Sequence, residues 1–126
     1  MNWIFNYMPI IPTRLKSELG ELEDVAAPES GGTGNGSVTT AGTRVQLSSS
    51  SVACRRVKIE CNESNGDLTN GGAIEIGFDE VVAAIATRQG TTLYPSQNDW
   101  FNVSNLNLMY VDSLDDGAKF HYIYET

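Results

Sequence analysis

Between residues 37 and 126 the chain is cut into short apolar-polar alternations, with Gly, Asn, Asp, Ser or Pro every eight to twelve residues. That punctuation most constrains the fold, because a period of two suits half-buried strands and the breaks are too frequent for helices. Residues 56–61 are the cleanest case: Val57, Ile59 and Cys61 point one way, Arg56, Lys58 and Glu60 the other. Residues 43–47 alternate with Val45 and Leu47 apolar, and 73–78 place Ile74, Ile76 and Phe78 on one face. The run 81–87 (VVAAIAT) is of ambiguous type. Residues 91–94, 100–103 and 107–111 read as short strands, the polar stretch 62–72 as a loop, and Asp115-Asp116-Gly117 as a turn. Residues 119–124 alternate Phe120, Tyr122 and Tyr124 with His121 and Ile123. Seven or eight short strands of this kind predict an all-β fold, a Greek-key or jelly-roll β-sandwich.

Upstream the composition changes. Residues 1–12 (MNWIFNYMPIIP) carry Trp3, Ile4, Phe5, Tyr7, Met8, Ile10 and Ile11 and no charged side chain. Pro9 and Pro12 oppose a continuous helix. Left in water these groups would form an adhesive patch, so the segment reads as an arm that buries itself on another protein; folding back on its own β-domain is the alternative. With no basic stretch before it and no small-residue cleavage site after it, the arm is expected to belong to the mature protein. Residues 13–27 read as a short helix, with Thr13 as N-cap and Leu15, Leu19, Leu22 and Ala26 in one stripe. Residues 28–37 (PESGGTGNGS) read as a linker by composition. The expected organisation is therefore 1–36 as anchoring arm, helix and linker, and 37–126 as the β-sandwich.

The formal charge is −8, from 8 Lys+Arg against 16 Asp+Glu. An acidic chain lacks the basic footprint that displaces counterions from phosphates or holds a protein to anionic lipid, so neither nucleic acid nor membrane is an expected partner. No apolar run approaches the roughly 18–20 residues of a membrane span. The glycines of 31–36 lack Walker spacing and its Lys, which argues against a phosphate loop.

Catalytic and metal chemistry find little footing. His121 is the single histidine, set in a regular strand, and no G-x-S-x-G elbow exists. Cys54 and Cys61 lie seven apart, on opposite faces if they share a strand and roughly 23 Å from each other, which reads as two unpaired thiols. Residues 112–117 (DSLDDG) imitate a calcium loop, but Leu114 sits at position three and Ile123 at position twelve, so a solvated acidic turn is expected. No carboxylate pair is singled out by an apolar setting. Tyr110, Tyr122, Tyr124, Trp100 and Phe101 either line a sugar-binding face or serve as core and subunit contacts. Catalytic, metal and cofactor sites are all expected to be absent. The expected partner-binding residues are Trp3, Ile4, Phe5, Tyr7, Ile10, Ile11, Leu15, Leu19 and Leu22.

Six runs in order (TAGTRVQL at 40–47, CRRVKI at 54–59, GAIEIG at 72–77, GTTLYP at 90–95, LNLMYVDS at 106–113 and the Tyr-rich end) resemble a module of small structural proteins of tailed bacteriophages. The resemblance spans about 85 of the 126 residues. It implies a non-enzymatic virion protein, a capsid decoration, cement or head-fibre protein, assembled in the host bacterial cytoplasm. The implied partners are the major capsid protein or a portal or tail neighbour, and other copies of the chain, with a trimer favoured. The alternative is a tail-associated or host-surface carbohydrate-binding module. The 62–72 loop and the VVAAIATRQ segment before Gly90 depart from the family pattern.

Overall fold

The computed structural model describes residues 30–126, and the expectations for the arm and the helix at 13–27 lie outside them. Eight strands appear: β1 (Gly31–Val38), β2 (Val45–Gln46), β3 (Arg56–Cys61), β4 (Ile74–Gly77), β5 (Thr91–Leu93), β6 (Asn98–Asn102), β7 (Tyr110–Ser113) and β8 (Ala118–Glu125). Pairing is nested: β1 with β8, β2 with β7, β3 with β6 and β4 with β5, all antiparallel. One long hairpin has thus been rolled up, and rolling adds the β3–β8 and β4–β7 seams. The result is two four-stranded sheets, β1-β8-β3-β6 (sheet A) and β2-β7-β4-β5 (sheet B). This is the expected β-sandwich, with jelly-roll connectivity.

The core lies between the sheets. Sheet A contributes Val38, Val57, Ile59, Cys61, Ala118 and Phe120; sheet B contributes Ile74, Ile76, Leu93 and Val111, with Leu47, Leu106 and Met109 from flanking turns. Period two explains the split, since successive side chains point to opposite faces. Phe78 departs from its expected place: β4 ends at Gly77, and Phe78 lies just beyond it, 51% exposed.

The main correction concerns residues 31–36. They are not linker but most of strand β1, in register with the last strand. The register puts Gly32 opposite Tyr124, Gly34 opposite Tyr122 and Gly36 opposite Phe120. A Cβ on these glycines would lie 2.5 Å, 2.3 Å and 2.6 Å from the respective aromatic side chains. The rings of β8 lean across the backbone of β1 and fill the space its side chains would take, so glycine's poor strand propensity is offset by aromatic packing. Residues 31–36 therefore belong to the sandwich, on the far side of the boundary expected at 37.

Three shorter corrections follow from loops. The 62–72 loop contains a 3₁₀ turn (Glu63–Asp67) that buries Asn65. Asn65 exchanges two hydrogen bonds with the Lys119 backbone, imitating a strand partner for β8. Residues 106–108 form a 3₁₀ turn (Leu106–Leu108), so the strand expected from 107 starts at Tyr110. Residues 78–90 form a strap over the outside of sheet B, pinned by reciprocal Val82–Gln89 backbone bonds and tipped by a 3₁₀ turn (Ile85–Thr87).

Candidate functional site

Three surfaces concentrate chemistry. On the outer face of sheet A, β3 presents Arg56, Lys58 and Glu60, and β8 presents His121, Ile123 and Glu125. Arg56 forms a two-pronged ion pair with Glu125, Nε to Oε2 at 2.6 Å and Nη2 to Oε1 at 3.0 Å. The same guanidinium stacks 4.0 Å from the Trp100 ring centroid. The hydrogen bond from Arg56 holds the Glu125 carboxyl below the usual carboxylate range, and the pairing raises Arg56 further. Next along the strands, His121 Nε2 lies 2.7 Å from Glu60 Oε2, while Asn98 donates to Glu60 Oε1 at 3.2 Å. A shallow groove of about 380 Å³ runs between these pairs, lined by Thr33, Lys58, Glu60, His121 and Ile123.

Beneath the strap, on the outside of sheet B, Glu75 of β4 stands directly opposite Asp112 of β7. Both are buried, 1% and 3% exposed. Sequence reading picked out no carboxylate pair, because this one is made by cross-strand register and a covering loop. Asp112 Oδ2 accepts the Ala83 N–H of the strap at 2.9 Å, and Oδ1 accepts Ser113 N–H. Glu75 Oε1 accepts the Thr92 hydroxyl at 2.5 Å and lies 3.6 Å from Arg88 Nε. Glu75 Oε2 has no hydrogen-bond partner among the described residues. Arg44, next to β2, donates to the Val81 carbonyl at 3.3 Å and so also ties down the strap.

The DSLDDG segment is no solvated turn. Asp112 holds the strap, Asp115 accepts the N–H groups of Asn70 and Gly72 at 2.8 Å each, and Asp116 accepts Ala41 N–H at 2.7 Å. Its carboxylates fasten three different loops to the end of β7, and Asp115 is only 4% exposed.

The aromatic residues do not share a face. Tyr122, Tyr124 and Phe101 turn inward against the core, Trp100 lies outside sheet A under Arg56, and Tyr110 lies outside sheet B. Both cysteines are free. Cys54 precedes β3 and donates to the Val103 carbonyl, and Cys61 donates to the Gly72 carbonyl. Burial pushes both thiols up. Among the described residues, no group of three His, Cys, Asp or Glu side chains is placed to hold a metal ion. Trp3, Ile4, Phe5, Tyr7, Ile10, Ile11, Leu15, Leu19 and Leu22 lie outside the described residues.

The third surface is the open side of β1, which pairs with β8 alone among the described strands. Nothing in the sequence reading singled it out, since the segment had the composition of a linker; the signal was the spacing of two shared by the glycines and the terminal aromatics.

No family model matches the chain, and a search of curated proteins found no match. Among solved structures, it is similar to a de novo designed double-stranded β-helix at 16% identity, covering 77% of this chain and 99% of that one with a TM-score of 0.38. It is also similar to a Bacillus endospore appendage protein, of a family described as disulfide-linked pili. There the identity is 12%, with 77% of this chain and 87% of that one covered and a TM-score of 0.41.

Proposed function

We propose that the chain is a non-enzymatic structural protein of a tailed-phage virion, a capsid decoration, cement or head-fibre protein that displays a jelly roll and docks by its N-terminal arm. One observation carries this reading. Among the described residues the inner faces of the two sheets fill each other, yet the sequence also holds a dozen residues with seven large apolar side chains and no charge. Such a segment suits a surface on a neighbour, the major capsid protein or a portal or tail protein. Each docked arm contributes about 25 cal/mol per Å² of apolar area removed from water. Several linked copies, a trimer by resemblance, convert that modest gain into avidity on a repetitive particle. Assembly takes place in the host bacterial cytoplasm, where free thiols persist.

Deleting residues 1–12 tests the reading. The truncated chain should keep its β-type circular dichroism and lose incorporation into particles. Incorporation at the level of the full chain overturns the anchor role. The carbohydrate-binding alternative has less support, because the aromatic residues it needs divide between the core and two outer faces, and Arg56 already occupies one face of the Trp100 ring.

A further inference from the structure

We infer that the open edge of β1 is a self-association seam, on which β1 of a second copy of this chain adds antiparallel to continue sheet A from one molecule into the next. The inference is independent of what the arm docks on.

The argument begins with the backbone. Thr126 donates its N–H to the Ser30 carbonyl at 2.9 Å, and the register then runs Gly32–Tyr124, Gly34–Tyr122, Gly36–Phe120. In an antiparallel ladder, alternate residues exchange hydrogen bonds with the partner and those between turn both groups away. The even-numbered residues of β1 therefore bond β8, and the N–H and C=O groups of Thr33, Asn35 and Ser37 face the open side. Exposure follows the same alternation: Thr33, Asn35 and Ser37 are exposed, Gly32, Gly34 and Gly36 half-buried.

Proteins protect such edges with charge, proline, bulges or short strands. The other edges of this molecule use those devices. β2 has two residues, β5 has three, and β6 carries Asp99. β1 has eight residues, no charged side chain and no proline, and its pairing to β8 is unbroken. In a chain of net charge −8, this long edge is also where two copies meet without opposing like charges. An isologous antiparallel pair would set Thr33, Asn35 and Ser37 of each copy beside those of the other on the outer face.

The glycine stripe supplies the apolar part. Tyr122 and Tyr124 point inward but remain half-exposed, because only glycines separate their ring tips from the open side. A second copy's glycine stripe would let the two sets of rings approach over the seam, completing a burial that one molecule leaves unfinished. A two-fold seam closes on two copies, so it doubles whatever assembly the chain otherwise forms.

Sedimentation velocity on the full chain, from low micromolar to near-millimolar concentration, tests this. The expected result is a reversible doubling of mass. Asn35→Pro removes an outward donor without touching the bonds to β8, and Asn35→Lys sets two cations across the seam. Each should weaken doubling by at least about tenfold with the thermal midpoint retained. Asn98→Lys, on the opposite edge strand β6, should leave doubling intact. Should either Asn35 variant fail to fold, Thr33→Lys makes the same test. The inference is overturned if the parent never doubles, or if the folded edge variants double as the parent does. Loss of doubling on deletion of residues 1–12, with the edge variants unaffected, also overturns it by making the arm the contact. Failure of the anchoring reading would appear instead in particle incorporation, which this measurement does not touch.

Discussion

The two sheets solve the same problem in different ways. Sheet A has long strands, of eight, eight, six and five residues, and leaves its outer face in water. Its exterior is dressed with polar pairs across β3 and β8, the Arg56–Glu125 ion pair and the close contact of His121 with Glu60. Sheet B has strands of two to four residues and covers its outer face with the 78–90 strap. Its exterior carboxylates, Glu75 and Asp112, are consequently buried, and Asp112 holds the strap through the Ala83 N–H rather than through a ladder. Long strands stabilise themselves through many cross-strand contacts. Short ones need loops to finish the job, and those loops need buried polar anchors.

The largest expected effects test the aromatic-glycine half of this comparison. Phe120→Ala should cost about 3–5 kcal/mol in urea denaturation, since the ring is 2% exposed between the sheets. Tyr124→Ala, at the half-exposed rim, should cost clearly less, and equal costs would break the picture of a stripe that opens toward the edge. Next come the loop anchors. Asp112→Ala and Asp115→Ala should each cost about 2–3 kcal/mol, because each leaves buried backbone N–H groups without their charged acceptor. Asp112→Ala should also speed amide exchange at Ala83 while β8 and the β1 amides bonded to it stay protected. Exchange spreading evenly over both sheets would show that the strap is not a separate unit.

Glu75→Gln should change stability by no more than about 1 kcal/mol, because Oε2 makes no bond to lose, the amide oxygen still accepts from Thr92, and Arg88, 3.6 Å away, keeps its bond to the Ala83 carbonyl. A loss above about 2 kcal/mol would mean that its charge holds Arg88 and the strap in place. The smallest effect lies on sheet A. The carboxyl of Glu125 is lowered in the folded protein, so its pairing with Arg56 contributes above the ordinary carboxylate range and is lost as pH falls through the depressed value. Glu125→Gln should flatten the acid limb of the thermal midpoint against pH and leave the neutral plateau nearly unchanged.

Much of sheet A was readable in the residues themselves. Arg56–Cys61 and the Phe120–Tyr124 alternation show their faces without reference to anything distant. β1 was not readable, because glycine reports no face and its strand character is lent by rings some ninety positions away. Glu75 and Asp112 looked like surface charges for a related reason. Each has apolar neighbours on one face only, and the strap that covers the other face has a sequence equally suited to strand, turn or helix. The candidate site is therefore the least legible part, since what it presents is an edge of bare backbone, and side-chain chemistry does not announce one.

The nested pairing also fixes the order in which the molecule can close. Ser30 and Thr126 are 96 residues apart, yet they bond each other at the mouth of the sandwich. At about 5–20 residues per second, the ribosome releases β8 on the order of ten seconds after β1. During that wait β1 lacks β8, its partner among the described strands. A strand rich in valine or isoleucine would be a hazard in a crowded cell. Four glycines in eight residues make it inert until the tyrosines arrive, so the property that hides this strand from a reader also shelters it in the nascent chain.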